Sequence, residues 1–277
     1  VVGTIHHPIT MDKRIDIKHA ETLSLKLLKW RWYSFLKMQI KVARKLDPII
    51  VVSENTRKDV VKDFKIDPKK TRKVLHGIDH KTFEPIPSIE RKKNQLITTA
   101  SADVPLKGLI YLIRAYSELL NEFPDLSLVV IGKLRDGPTS NELDKKDIKN
   151  KVKFISDLTS REIAELYAES TIAISPSVYE GFGFPAGEAM SCGIPLISTN
   201  GGSLPEVVGN SGIIVPHSNP NELRKAIKEL LLSPEKRKKL GEKGRKRVLE
   251  KFTWKRAAKE LVEVYREAIS NADNRSR

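Results

Sequence analysis

Two glutamates, Glu180 and Glu188, stand eight positions apart on either side of a glycine-rich loop, in the stretch Glu180-Gly-Phe-Gly-Phe-Pro-Ala-Gly-Glu188. The loop leaves a short apolar run, Thr171 to Ser175, that reads as a strand, and it enters a helix. Pro185 fits the first helical position, where a missing N–H costs nothing. Gly193 fits the helix exit, and Pro195 to Thr199 reads as the next strand. Gly181, Gly183 and Gly187 let a ligand approach the backbone closely. A strand, a glycine loop and a helix N-terminus together make an anion site, because free N–H groups and the helix dipole converge there. The spacing therefore predicts a phosphate-bearing ligand. Glu188, placed in the first helical turn, reads either as a partner of the dipole or as a ligand acceptor. Glu180, in the loop beside Phe182 and Phe184, reads as a functional carboxylate rather than a solvated one.

The elements that must hold these residues form two series. In the first, Val1 to Thr4 reads as a strand ending at His6-His7-Pro8, and a helical stretch covers roughly Ile17 to Leu46. Pro48 breaks it. Ile49 to Ser53 is a compact β-branched strand, Glu54 to Phe64 a helix opened by Ser53, and Thr71 to Leu75 another strand. His76 to Asp79 reads as a turn, and the polar segment 81–94, with Pro85 and Pro87, as a linker. The second series has strands at 95–99, 126–131, 152–155, 171–175, 195–199 and 213–215, alternating with helices at 107–122, 160–169, 185–192, 204–208 and 220–232. Short apolar strands separated by helices predict an α/β fold with a parallel, doubly wound sheet. Ligands of such sheets bind beyond the carboxyl ends of the strands.

Composition narrows the partners. The chain has 277 residues, enough for one large or two ordinary domains, and a net charge of +15. Much of the excess lies in Lys236 to Lys251. No zinc-finger spacing, aromatic RNA-binding motif or helix-turn-helix signature accompanies it, so no nucleic-acid partner is expected. No apolar run approaches the ~18 residues that cross a bilayer. The single cysteine, Cys192, rules out an internal disulfide and reads as a small buried residue. No Asp-x-Asp or His/Cys cluster is present, so a metal-independent protein is expected.

The Glu-to-Glu string resembles the E-x(7)-E motif of the retaining, family-4 type (group 1) glycosyltransferases of GT-B fold. Upstream, Ala100 to Leu109, containing Lys107-Gly108, then Ala115 and Leu128 to Gly132, is similar to that family's phosphate-binding region and the strand after it. Downstream, Ile197 to Gly209 resembles its Gly-Gly loop, and Phe252-Thr-Trp254 the lead into its last helix. The resemblance implies two Rossmann-like domains facing a cleft: a partial N-terminal acceptor-side domain over 1–80, a linker over 81–94, a nucleotide-sugar-binding domain over 95–250, and a helix at 251–277 crossing back to the first domain. The family's N-terminal domain is normally complete. The first series has only about three strands, so on the order of 100 residues are expected to precede this chain.

The resemblance also implies roles. Lys107, before Gly108, supplies charge to the leaving diphosphate. The family often carries an Arg six positions earlier; here that position is Ser101, whose hydroxyl would stand in for it. Glu188 is assigned to the ribose hydroxyls, which a carboxylate accepts in pairs, and Glu180 to the donor sugar. Backbone N–H groups from Gly181, Phe182, Gly183 and Phe184 orient that sugar. Phe154 to Ser156, with Phe154 and Ile155 at the strand end, form a base-binding edge. His6 resembles the family's acceptor-side histidine, with His7 as its competitor. The expected activity is hexosyl transfer from a UDP- or GDP-linked sugar to a glycan, lipid or small-molecule acceptor, with retention and no cofactor. Cell-surface glycan biosynthesis is the implied setting.

Two other readings of the residues are weaker. A carboxylate-pair glycoside hydrolase would need Glu188 to face a second carboxylate, away from the anion-site helix. A basic nucleic-acid-binding protein lacks any motif beyond charge. Separately, Lys26 to Lys45 interleaves Trp30, Trp32, Tyr33 and Phe35 with lysines and arginines. This reads either as a helix lying on an anionic membrane or as a core-packing helix with a basic outer face. Localisation is expected to be cytoplasmic, with the inner membrane face as the surface in question.

Overall fold

A computed structural model describes residues 1–100 and 104–275. In chain order the first elements are β1 (Gly3–Ile5), α1 (Ile9–Lys18), α2 (Leu23–Trp32), a 3-10 turn (Tyr33–Phe35), α3 (Leu36–Ala43), β2 (Ile49–Val51), α4 (Glu54–Phe64) and β3 (Thr71–Lys73). There follow β4 (Gln95–Thr99), α5 (Leu109–Leu119), β5 (Ser127–Ile131), α6 (Pro138–Lys145), β6 (Val152–Ile155), α7 (Ser160–Glu169), β7 (Ile172–Ser175) and α8 (Phe184–Ser191). The chain closes with β8 (Leu196–Thr199), α9 (Leu204–Val208), β9 (Ile213–Val215), α10 (Pro220–Leu232), α11 (Pro234–Lys251) and α12 (Trp254–Arg275). Two compact units emerge. One comprises Val1–Gly77, Glu180–Phe182 and Trp254–Arg277, and the other Ile78–Tyr179 and Gly183–Thr253.

The first unit is built on a parallel sheet in the order β1-β2-β3. Alternation along β2 divides its side chains between two faces. Ile49 and Val51 pack with Ala43, Val60 and Phe64 from α3 and α4. Ile50 packs with Val74 and with Val264 from α12. A parallel strand covered on both sides explains why Ile49-Ile50-Val51 is uniformly apolar. Ser53 caps α4, its hydroxyl accepting from the Thr56 N–H at 3.0 Å.

The second unit carries a six-stranded, all-parallel sheet in the order β6-β5-β4-β7-β8-β9. Helices α5, α6 and α10 share one core with the sheet, with Leu112, Ile113, Leu143 and Ile227 fully enclosed. At its centre the buried Tyr116 hydroxyl donates toward the carbonyls of Leu126 at 2.8 Å and Lys151 at 2.9 Å. Two units with parallel sheets and crossover helices make the Rossmann-like α/β fold that the sequence predicts.

The structure corrects three local expectations. The helix expected over Ile17 to Leu46 is α1, α2 and α3, with a break after Lys18 where Thr22 caps a new helix by accepting from the Leu25 N–H at 3.1 Å. Helix α6 was not anticipated, because Leu143 is its only buried large apolar residue and an eight-residue segment shows little periodicity. Helix α8 starts one residue earlier than expected: Gly183 takes a left-handed conformation and caps it, so Phe184 is first and Pro185 second.

Removing the Tyr116 hydroxyl (Tyr116→Phe) leaves buried carbonyls without that donor. Urea denaturation should show a loss of about 1–3 kcal/mol with an unchanged m-value.

Candidate functional site

In the second unit, the sheet reverses its strand order where β4 meets both β5 and β7. The described parts of the loops that follow β4 and β7 therefore start side by side, at the position where an open parallel sheet usually takes its ligand. The β4 loop ends in a 3-10 turn, Pro105–Lys107, followed by Gly108 in the left-handed region at φ 63°. A Cβ on Gly108 would lie 2.2 Å from the Pro176 carbonyl oxygen, so only glycine fits. The Val178 N–H donates to the Leu106 carbonyl at 2.7 Å, clamping the lysine turn to the β7 loop. Half-buried Lys107 and buried Gly108 are thereby fixed beside the chain that runs to α8. Ser101 lies outside the described residues.

Glu188 sits in the second turn of α8, not the first, because Gly183 is the cap. Its environment is set by burial rather than by the dipole: desolvation raises its pKa from 4.5 to about 7. Tyr167 lies near enough for the Glu188 charge to push the phenol upward, after burial itself. The Tyr167 hydroxyl lies 3.1 Å from the Thr99 hydroxyl and donates to the Pro185 carbonyl at 3.3 Å, tying the end of β4 to the start of α8. Cys192 caps the other end of α8 and is buried; burial, then the Glu188 charge, pushes its thiol up to about 12.

Phe154 and Ile155 end β6 and are half-buried. A cavity of about 310 Å³ at the carboxyl ends of β5 and β6 is lined instead by their neighbours, including Gly132, Lys133, Ser156 and Asp157. The Ile155 carbonyl accepts from the Gly132 N–H at 2.7 Å. Of the expected edge, Ser156 lines this cavity, while Phe154 and Ile155 lie just before it on the strand.

The first unit assembles a second group at the carboxyl ends of its three strands. His6 follows β1, Ser53 follows β2 and His76 follows β3. Residues Glu180, Gly181 and Phe182 join them. The hydroxyls of Ser53 and Thr56, both buried, donate to the Gly181 carbonyl at 2.9 and 3.1 Å. A Cβ on Gly181 would fall 2.3 Å from the His6 carbonyl oxygen, so the loop lies directly on the His6 backbone. Glu180 and His6 are thus brought into one neighbourhood. His7 is turned away, its Nε2 lying 2.7 Å from Asp12 Oδ1.

His76 is a member of this group that the sequence presented only as part of a turn. Its ring stacks on His6 at a centroid distance of 5.0 Å, with His76 Nε2 3.0 Å from His6 Nδ1. Phe182 meets it edge-on at 5.2 Å and Trp254 lies 6.2 Å away. Burial, then the neighbouring His6, lowers the His76 pKa to about 4, so it is neutral near pH 7. A neutral partner on Nδ1 leaves Nε2 as the His6 nitrogen outside the pair. The available signal was positional: residues after adjacent parallel strands meet at one sheet end.

The family model for glycosyl transferases group 1 matches residues 81–247. The chain belongs to this family. It is 38% identical over 274 residues to MMP alpha-(1->4)-mannosyltransferase of Mycolicibacterium hassiacum, covering 98% of this chain and 66% of that protein. Among solved structures, sucrose-phosphate synthase from Thermosynechococcus elongatus superposes with a TM-score of 0.77 at 22% identity, over 98% of this chain and 68% of that one. Anabaena HepE, solved with UDP and glucose, gives a TM-score of 0.78 at 18% identity, over 95% of this chain and 70% of that one. These structural likenesses agree with the GT-B type of group 1 glycosyltransferases. The chain spans 53–66% of the length of the first three curated relatives it matches.

Two consequences are measurable. Gly108→Ala forces a side chain into left-handed backbone against a carbonyl and should cost about 1–3 kcal/mol in denaturant unfolding. Glu188 holds its proton to higher pH folded than unfolded. Its contribution to stability is present below pH 4.5 and is lost as pH rises toward about 7. Glu188→Gln lacks this slope, so the variant's Tm should rise relative to the parent between pH 5 and 7.5 and then stay level. A pH-independent difference would show that Glu188 is not desolvated.

Proposed function

We propose that this chain contains the donor-binding portion of a retaining, metal-independent glycosyltransferase that moves a hexose from a UDP- or GDP-linked sugar to a glycan, lipid or small-molecule acceptor. The observation that carries this reading is the clamp at the sheet's reversal point, where the Lys107-Gly108 turn is fixed to the loop leading to Glu188. The lysine places a cation where a diphosphate develops charge on leaving. Glu188 accepts the ribose hydroxyls; a carboxyl poised near neutrality can also donate to one of them. The N–H groups at the start of α8 face the phosphate side, and the turn after β6 receives the base.

In the first unit, Glu180 orients the donor sugar and His6 receives the acceptor's proton through Nε2, with His76 holding the ring. No nucleophile opposite the leaving group is needed for a front-face displacement with retention, which the resemblance implies. The mannosyltransferase name of the M. hassiacum relative makes a mannose donor the first to try, and the UDP held by HepE a uridine donor the second.

A peripheral position on an anionic, cytoplasmic membrane face is proposed for the segment 26–45. Its support is that α2 has no buried residue and that Leu27, Leu28, Trp30 and Trp32 are all exposed beside Lys26, Lys29 and Arg31. This argues against the core-packing alternative. No helix among the described residues is long and apolar enough to cross a membrane. In flotation assays the chain should rise with vesicles containing anionic lipid and not with neutral ones. Binding to neither would remove the proposal.

The donor reading is tested by calorimetry with UDP- and GDP-sugars in the presence of EDTA. Binding of one nucleotide class, weakened at least tenfold by Glu188→Ala, is expected. Equal binding by parent and variant would overturn the role of Glu188, and strict metal dependence would overturn the metal-free mechanism.

A further inference from the structure

Helix α11 presents a face at residues 234, 237/238, 241/242, 245/246 and 249/250, the spacing of one side of an α-helix. This face lines an open pocket of about 720 Å³ in the second unit, together with Pro85, Arg91 and Gly193. The floor is a backbone contact: a Cβ on Gly241 would lie 2.2 Å from the Gly193 carbonyl oxygen, so α11 rests directly on the exit of α8. None of Lys107, Gly108 or Glu188 lines this space.

The lining surface is mostly apolar, and the charged residues around it are predominantly cationic. Arg91, Arg237, Lys238, Arg245 and Lys246 face Glu242 and Glu250, five positive groups against two negative ones. Glu250 is engaged by Lys246 at 3.8 Å. Among the described residues no carboxylate stands within ion-pair distance of Arg91, Arg237, Lys238 or Arg245. Two of the guanidinium groups are held by backbone. Arg237 Nη1 donates to the Leu230 and Leu231 carbonyls at 2.6 and 2.7 Å. Arg245 Nη1 donates to the carbonyls of His80, Phe83 and Ser191 at 2.9–3.0 Å. These bonds fix the side chains; no carboxylate opposes the effect of burial on Arg237, while Glu84 offsets part of the Arg245 charge. Arg91 is depressed by burial and then by the positive charge of Arg237, and burial also lowers Arg237 and Arg245. Grouping like charges this way costs free energy unless an anion joins them.

We propose that this pocket is a second binding site, distinct from the donor site, for a small dianion of the phosphate-monoester class. The fixed guanidiniums suit bidentate phosphate oxygens, and Pro85, Pro234 and Leu249 offer an apolar wall to an organic body. A pocket of this size holds a small ester whole. The site needs no assumption about catalysis, and it lies on α11, which rests on the helix that carries Glu188. Occupancy therefore bears on the exit of α8.

The test is calorimetric titration of the full chain with inorganic phosphate and with phenyl phosphate, against chloride at equal ionic strength. The variants are the double substitution Arg91→Gln/Lys238→Gln and Lys107→Ala. Binding should weaken at least fivefold in the double variant and persist in Lys107→Ala, with phenyl phosphate tighter than inorganic phosphate. Unfolding midpoints without ligand control for misfolding. Equal binding by parent and double variant, no binding beyond that of chloride, or complete loss in Lys107→Ala would overturn the proposal. Weaker binding of phenyl phosphate than of inorganic phosphate would overturn the organic-ester class.

Discussion

Strand β4 pairs with β5 along one edge and with β7 along the other, Leu96 opposite Leu128 on one side and Ile172 on the other. That double pairing is the constraint on which the second unit depends. A parallel strand needs a crossover connection to reach its neighbour. The chain runs outward from β4 through β5 to β6, returns to β7 beside β4, and then proceeds in the opposite direction. Two loops far apart in sequence therefore start side by side. The lysine turn and the approach to α8 owe their proximity to this reversal.

What holds the two loops in register is backbone against backbone. Gly108 meets the Pro176 carbonyl, the Leu106 carbonyl accepts from Val178, and Gly201 from the β8 loop approaches the carbonyls of Ser177 and Val178. Such contacts are stiff, because main-chain atoms have no rotamers with which to yield. They suit the fixed positions that the proposed donor site requires of its cation and its acceptors. In the first unit the corresponding device is the Gly181 carbonyl received by two buried hydroxyls.

Much of this was legible in the sequence, and the gaps have physical reasons. All six strands of the second sheet announce themselves because each is short, apolar and bounded by glycine, proline or polar residues. The site motif is legible because its glycines and carboxylates cannot be exchanged for others of similar hydropathy. Helix α6 was hidden because it buries little. The single long helix over 17–46 was misread because lysines and leucines alternate through it at helical spacing, with no proline or glycine to mark the break at Thr22. The depth of Glu188 depended on which glycine caps the helix, a one-residue question that hydropathy does not answer. His76 was missed because its significance is a meeting across 70 positions, which only strand adjacency reveals.

The lone cysteine has a use that follows from its position. Cys192 closes α8, is enclosed by protein, and keeps its proton far above neutral pH. A thiol in that state reacts with an alkylating reagent only when the helix end opens. Because the sequence contains no other cysteine, the modification rate of the untouched chain is a clock for one event, the local opening of the helix that carries Glu188. The protein thus comes with its own single-site reporter on the rigidity of its candidate site.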